Sequence, residues 1–330
     1  MQDAAPGLIA RLQHALAALA LATALPVAAQ STGAPDQAAC PPAAEAPSPA
    51  ELLQGMLAAR DRGFLWRIVK NGRTSYLYGT LHIGKPEWAF PGPNVRAALD
   101  SSDTLALEID PTDPAMARSM AAPPAPPSLP ALDDELRERL ARQAEAMCLP
   151  KQALAALHPL MQAMTYMVMS ARWDGLDPSW AQEPMLAGFA RGAGRSVVSL
   201  ESVQLQLSAL IPDDPHKALK MVDDTLDQLE QGRARPMLAR IAQAWESGDL
   251  SELENFERWC ECTATESDRA ALRTLNDARN PRMAERIDAL HRSGRPVFAA
   301  VGALHMTGAH ALPTLMAQRG YQVERVEFAQ

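Results

Sequence analysis

Aromatic residues make up only 5% of this 330-residue chain, and just 7 residues are histidine. The scarcity of aromatic rings argues against a surface that stacks nucleic-acid bases. The net charge is -8 and the basic residues are scattered, which argues against binding to nucleic acid or anionic lipid through phosphates. The chain also has no His-Glu-x-x-His, no Gly-x-Ser-x-Gly and no phosphate-binding loop. Three common classes of enzyme site are therefore excluded.

Long apolar runs are missing as well, apart from one near the N-terminus. That run, Ala15 to Leu25, is too short to span a bilayer comfortably, and small residues follow it at 27–29. This pattern predicts a signal peptide over 1–29, cleaved before Gln30, and a bacterial protein that is periplasmic or secreted, with no stable membrane span after cleavage. An Ala-rich tail or an amphipathic helix is the alternative, because Arg11 is the only basic side chain before the run.

Cysteine is rare, with only four in the chain. The spacing of Cys260 and Cys262 is not the two-residue spacing of a zinc ribbon or a redox motif. In an oxidising compartment we expect one or two structural disulfides. Three pairings are possible if Cys40, Cys148, Cys260 and Cys262 are all used, and Cys148 with one of the later pair is the one favoured here.

Strand patterns occur at the two ends of the sequence. After an Ala-, Pro- and Ser-rich segment, predicted as a flexible lead-in over 30–60, two apolar runs flank Asn71-Gly72 and predict a hairpin over 64–78. A third strand is expected over 104–109, and strands return at 296–301 and 321–328.

Between these strands the sequence is mostly helical in pattern. After a Pro-rich break at 121–130, apolar residues recur at three- and four-residue spacing over about 131–288, with a short β run at 196–200 as the exception. The fold class is therefore α/β (α+β): a mixed β-sheet formed from the N- and C-terminal halves, with a large helical insertion. One domain over 61–330 is expected.

Two matching motifs lie directly after predicted strands. Gly79-Thr80-Leu81-His82 and Gly302-Ala303-Leu304-His305 share the frame Gly-x-Leu-His. Strand ends are where α/β proteins place working side chains beside a crevice. We therefore predict that His82 and His305 meet in one site.

A carboxylate would complete a metal-ligand set with these histidines. Glu108 lies between apolar neighbours on a strand, where an ionised side chain is costly unless it is paired or binds a metal. Two imidazoles and one carboxylate suit Zn²⁺, Mn²⁺ or Fe²⁺. Asp110 and His310 are weaker candidates. Arg279, at the start of a helix, is either an oxyanion-stabilising residue or an ordinary surface ion pair.

At these residues the chain resembles the TraB/GumN family, which includes the Tiki-type metalloproteases. The resemblance runs from about Phe64 to the C-terminus and is carried by an ordered set of motifs: Tyr78 to His82, Leu107 to Asp110, Leu200 to Ser202 with Gln204 and Gln206, Arg279-Asn280 with Met283, and Val301 to His305 with Gly308. It implies a divalent-metal site at His82, Glu108 and His305 with Arg279 close by, and Mn²⁺ or Co²⁺ as well as Zn²⁺. The resemblance implies peptide hydrolysis on the basis of some animal members, and it supports the site more strongly than the substrate.

The sequence thus predicts an exported metal-dependent hydrolase that acts on a peptide or polypeptide. Glu108 and Arg279 are its expected catalytic residues. Two alternatives stay open: a protein that binds and sequesters a peptide or sugar without cleaving it, and an esterase-type hydrolase. Oligomeric state is not indicated by the sequence.

Overall fold

A computed structural model describes residues 40–114 and 132–328. The predicted signal peptide, the first part of the lead-in and the Pro-rich break lie outside the described residues. Six strands form one mixed sheet: β1 (Phe64–Lys70), β2 (Arg73–Thr80), β3 (Thr104–Leu107), β4 (Ser196–Ser199), β5 (Val297–Gly302) and β6 (Gln322–Val326).

The described helices follow the chain order α1 (Pro49–Leu57), α2 (Pro93–Asp100), α3 (Asp134–Ala146), α4 (Pro159–Ser170), α5 (Gln182–Gly192), α6 (Val203–Leu210), α7 (Pro215–Glu230), α8 (Ala234–Ser247), α9 (Leu250–Glu254), α10 (Phe256–Trp259), α11 (Glu266–Leu275), α12 (Asn280–Arg292) and α13 (Leu312–Gln318). Short 3₁₀ turns occur at 86–88, 171–174, 178–180, 261–263 and 303–306. Among the described residues, none of the helices is long and apolar enough to cross a membrane.

The strand order is β4-β3-β5-β2-β1-β6, which confirms the mixed α/β fold. β4, β3, β5 and β2 are parallel to one another, and β1 is antiparallel to both of its neighbours. β5, from the C-terminal part, lies between β3 and β2, from the N-terminal part. The sheet is therefore built from both ends of the chain, as predicted, while β4 comes from within the helical insertion.

The predicted hairpin is present and joins β1 to β2. Asn71 and Gly72 have φ angles of 53° and 71°. Two successive left-handed residues form the turn that matches the twist of the flanking strands. The interior strands β3 and β5 are buried almost throughout, because helices such as α5 and α12 pack on them.

The described part of the lead-in, which was predicted to be flexible, contains the helix α1. Ser48 Oγ accepts a hydrogen bond from the Glu51 backbone N–H, and the Glu51 carboxylate accepts one from the Ser48 backbone N–H. This capping box starts α1 and explains why a helix forms there. The division into leader, lead-in and family domain otherwise stays a prediction.

The predicted disulfide pairing is wrong. Cys40 is bonded to Cys148, and Cys260 is bonded to Cys262. The sequence could not distinguish the three possible pairings, because connectivity depends on which chain segments meet in space. The first bond ties the N-terminal segment to the end of α3.

Candidate metal centre

Each of the four parallel strands is followed within three residues by a polar residue of one site. His82 follows β2, His305 follows β5, Glu108 follows β3 and Glu201 follows β4. The β3–β4 ladder continues past the strands, since Glu201 N donates to Glu108 O at 2.9 Å. The sequence placed His82 and His305 at strand ends and Glu108 within a strand, and the structure brings all three to the carboxyl ends of neighbouring parallel strands. β3 ends at Leu107, two residues earlier than predicted.

Gly302 lies at the centre of this group. A Cβ atom on Gly302 would lie 3.2 Å from Glu108 Oε1, 3.6 Å from His305 Cδ2 and 3.8 Å from His82 Nε2. Its backbone N–H donates to Glu108 Oε1 at 2.7 Å. Glycine is needed here because a side chain would enter the space that the three groups face. The first glycine of the second motif therefore leaves a small open space between Glu108, His305 and His82, which we call the Gly302 cradle.

His305 is buried and has a defined tautomer. Asn280 Nδ2 donates to the carbonyl oxygens of His310 and His305, at 2.8 and 3.4 Å, so Asn280 Oδ1 faces His305 Nδ1 at 2.6 Å. His305 Nδ1 must therefore carry the proton that Oδ1 accepts, and Nε2 carries a lone pair. Burial lowers the pKa of His305 and keeps the ring neutral. Nε2 lies 3.6 Å from Glu108 Oε1.

His82 has a different environment, because its side chain is 65% exposed. Its Nδ1 lies 3.0 Å from Oε1 of Glu183, a buried residue of α5. The Glu183 carboxylate is the main reason why the pKa of His82 rises to about 9. The two histidines of the repeated motif are thus not equivalent in charge.

Glu108 is a buried carboxylate that accepts three hydrogen bonds. Besides Gly302 N, its oxygens accept hydrogen bonds from Arg279 Nη2 and from Gln206 Nε2, the latter at 3.0 Å. Burial alone would raise the pKa of Glu108, but His305, His82 and Arg279 outweigh it and lower the pKa to about 2.

Arg279 links two carboxylates. Its Nε donates to both oxygens of Glu201 at 3.1 Å, its Nη2 donates to Glu108 and Glu201, and its Nη1 donates to Leu275 O at 2.9 Å. Of the alternatives open for Arg279 in the sequence, the surface ion pair does not hold, because its side chain is only 12% exposed.

Three of the residues that build the site had no role assigned from the sequence. Glu201 and Asn280 belong to runs that resemble the family, but nothing in their spacing indicated their contacts. Glu183 gave no signal, since it lies in the first turn of an insertion helix. The weaker candidates lie outside the group: Asp110 pairs with Arg191, and His310 is exposed.

The donor set suits a divalent ion, because imidazole nitrogen and carboxylate oxygen are the usual ligands of Zn²⁺ and similar metals. Glu108 Oε1, His82 Nε2 and His305 Cδ2, the ring carbon bonded to Nε2, all lie within 4 Å of the position that a Cβ atom on Gly302 would take. Within residues 40–114 and 132–328, however, no three His, Cys, Asp or Glu side chains are gathered closely enough to form a ready metal site. The metal assignment is therefore taken up as a proposal.

The sequence was compared with protein families and with known proteins, and these comparisons agree on the family of this chain. A sequence model of the TraB/PrgY/gumN family matches residues 64–325. The chain belongs to this family. It is 25% identical over 318 residues to Metalloprotease TIKI1 of Danio rerio, covering 81% of this chain and 64% of that protein. It is 26% identical over 319 residues to Metalloprotease TIKI2 of Xenopus tropicalis, covering 81% of this chain and 60% of that protein.

A third relative is the Metalloprotease TIKI homolog of Nematostella vectensis, which is 23% identical over 320 residues, or 80% of this chain and 67% of that protein. The chain thus spans about three fifths of the length of the first two TIKI proteins. No solved structure matches it. The family membership agrees with the resemblance found in the motifs.

Proposed function

We propose that this member of the TraB/PrgY/gumN family is an exported metal-dependent hydrolase that cleaves peptide bonds. The observation that carries the proposal is the convergence of His82, Glu108 and His305 around Gly302, at the ends of three neighbouring parallel strands. The TIKI relatives are named metalloproteases, which supports the choice of reaction.

In this proposal His82 Nε2, Glu108 and His305 Nε2 hold a divalent ion, Mn²⁺, Co²⁺ or Zn²⁺. When bound, such an ion acts as a Lewis acid on a carbonyl and lowers the pKa of a water molecule. Two of the proposed ligands are already in the protonation state that binds a metal. His305 stays neutral with its lone pair on Nε2, and Glu108 stays ionised.

The contacts of Arg279 favour a positioning role over the oxyanion-stabilising role considered from the sequence. All three of its guanidinium nitrogens already donate hydrogen bonds within the protein. Arg279 therefore holds the carboxylate of Glu108 in place and compensates its charge. The Glu201 carboxylate in turn holds the guanidinium of Arg279 in place. His82 is the most solvent-exposed of the three proposed ligands.

Two disulfides support the proposed export. Disulfides persist in oxidising compartments and are rare in the cytosol of bacteria. Their presence in the described chain agrees with the signal peptide expected over 1–29. Expression of the full chain with a C-terminal tag, followed by cell fractionation and N-terminal sequencing, tests this point. Export predicts a periplasmic or secreted product that begins at Gln30, and an uncleaved cytosolic product contradicts it.

The reaction is tested by measuring metal content and hydrolysis together. The purified chain is loaded with Mn²⁺, Co²⁺ or Zn²⁺, dialysed, analysed for metal by mass spectrometry and assayed against a peptide library. His82→Ala and His305→Ala should lose both metal and cleavage. His216→Ala, which changes an exposed histidine of α7, should keep both.

The other outcomes separate the alternative functions. Cleavage of esters but not of peptides would replace the peptidase with an esterase-type enzyme. Recovery of an intact peptide or sugar from the protein would indicate a binding protein. Unchanged metal content and activity in both histidine variants would contradict the site.

A further inference from the structure

The first turn of α5 hydrogen-bonds to the first Gly-x-Leu-His motif. Gln182 Oε1 accepts a hydrogen bond from the Leu81 backbone N–H at 2.6 Å. One residue later, Glu183 Oε1 accepts hydrogen bonds from Thr80 Oγ1 at 2.5 Å and from His82 Nδ1 at 3.0 Å. Two consecutive insertion residues therefore hold the backbone and the imidazole of this motif.

These contacts decide the orientation of the His82 ring. The side chain is largely exposed, and among the described residues Glu183 is the one side chain that hydrogen-bonds to the ring. With Nδ1 directed at Glu183, Nε2 is directed towards the Gly302 cradle. Without that carboxylate the exposed ring would be free to adopt other rotamers, and Nε2 would lose its fixed position.

We infer that Glu183 is a positioning residue that fixes His82 as a metal ligand, an inference that rests on the proposed function. Ligating histidines usually donate their second N–H to a carboxylate or carbonyl, which fixes the ring and makes it a stronger ligand. Asn280 gives His305 an amide oxygen, whereas Glu183 gives His82 a carboxylate. The helical insertion thus supplies the outer contact of both ligands, from the first turns of α5 and α12.

The experiment is a Co²⁺ titration of the metal-free chain, followed by the visible spectrum of the bound ion. Glu183→Ala should weaken Co²⁺ binding by about 10- to 100-fold and change the spectrum. Glu183→Gln keeps an oxygen acceptor for Nδ1 and should recover part of the affinity. Thr80→Val removes only the hydroxyl that donates to Glu183, and its effect should be smaller.

Glu246→Ala is the matched control, because it removes a part-buried carboxylate that is bonded to Trp88 and Lys85, outside the site. It should bind Co²⁺ like the unchanged chain. If Glu183→Ala also binds with unchanged affinity and spectrum while His82→Ala does not bind, the inference is wrong and the proposed function stands.

A measurement without metal keeps the two ideas distinguishable. In the metal-free chain, ¹⁵N-edited NMR of the imidazoles should show a Nδ1–H of His82, assigned by its loss in His82→Ala. This signal should disappear in Glu183→Ala and persist in Glu183→Gln and Glu246→Ala. If the wild-type protein binds no Co²⁺, the proposed function is contradicted. A Nδ1–H signal that does not depend on Glu183 overturns the positioning role.

Discussion

Asn280 accepts the Nδ1 proton of His305 through its amide oxygen, and the two atoms lie 2.6 Å apart. Asn280 is fully buried, and its amide nitrogen donates to the His310 carbonyl. One side chain therefore fixes the tautomer of His305 and secures the chain segment just beyond it. A buried amide with both ends bonded is a costly group to remove.

Asn280→Ala should lower both stability and metal affinity. Loss of the amide leaves a buried N–H and a carbonyl without partners, at about 1–3 kcal/mol for each group. Metal affinity should fall by about 10- to 100-fold, because the ring of His305 is no longer fixed. Urea unfolding and Co²⁺ titration measure the two effects. Asn255→Ala, which removes a single amide contact on α9, should change neither strongly.

Replacing Arg279 should destabilise the chain in a pH-dependent way. Arg279→Met leaves the buried carboxylates of Glu108 and Glu201 uncompensated, which should cost about 3–5 kcal/mol at neutral pH. The pKa of Glu108 is lowered to about 2 from 4.5, so its stabilising contribution is present above 4.5 and is lost as the pH falls towards 2. The difference between variant and unchanged chain should therefore shrink over that range.

Urea unfolding of metal-free protein at pH 7 and pH 3 measures this difference. Arg233→Met breaks an exposed pair with Glu261 and should cost less than about 1 kcal/mol at either pH. An Arg279 effect of equal size at both pH values would mean that the carboxylates are not its cause.

Gly302→Ala should abolish metal binding and leave the fold intact. The backbone at Gly302 has a negative φ of -48°, which alanine adopts without strain, but the added methyl group would lie in the cradle between the three ligands. Metal analysis and circular dichroism give the readouts. Gly188→Ala, on α5 with open space around it, should bind metal normally and should be more stable by about 0.5–1 kcal/mol. Full metal occupancy in Gly302→Ala would place the ion elsewhere.

Metal binding should release a proton from His82. The Glu183 carboxylate raises the pKa of His82 from 6.5 to about 9, so the metal-free ring is protonated at neutral pH. This ion pair stabilises the metal-free fold below pH 6.5, and the contribution is lost as the pH rises through 9. A metal at Nε2 must displace the proton, so affinity should rise about tenfold per pH unit up to about pH 9 and then level off.

Calorimetry in buffers of different ionisation enthalpy counts the proton released. Glu183→Gln removes the charge that raises the pKa, so its proton release at neutral pH should be smaller. Binding without any proton release at pH 7 would exclude Nε2 of a protonated His82 as the ligand atom.

The two disulfides should contribute unequally to stability. Cys40–Cys148 closes a loop with a sequence separation of 108, and loops of that size are stabilised by about 4.7 kcal/mol in the chain-entropy description. Cys260–Cys262 has a separation of 2, so its contribution should be about 1–2 kcal/mol. Urea unfolding of Cys40→Ser with Cys148→Ser, compared with Cys260→Ser with Cys262→Ser, tests the order. Equal losses would contradict it.

Much of the sheet was predictable, because its strands carry local signals. The Asn71-Gly72 turn and the apolar runs on either side of it gave the hairpin within two residues at each strand end. The two motifs gave His82 and His305, and the cost of burying an isolated carboxylate pointed to Glu108. These predictions depend on periodicity and on residue chemistry, which a single sequence contains.

Contacts between segments that are distant in the chain could not be predicted from the sequence. Glu183 contacts His82 because α5 packs beside the end of β2, which lies about a hundred residues earlier in the chain. No local sequence pattern predicts that contact. The pairing of Cys40 with Cys148 is non-local in the same sense. The capping box of Ser48 and Glu51 is different, because it is a local signal in a segment whose composition predicted flexibility.

The position of β5 in the sheet has a consequence for biosynthesis. This strand separates β3 from β2, yet it is made long after both, since it begins at Val297. A nascent chain shorter than that holds His82 and Glu108 on segments with no strand between them. In the proposed function, the three metal ligands can therefore meet only after translation has passed His305 and β5 has entered the sheet between β3 and β2.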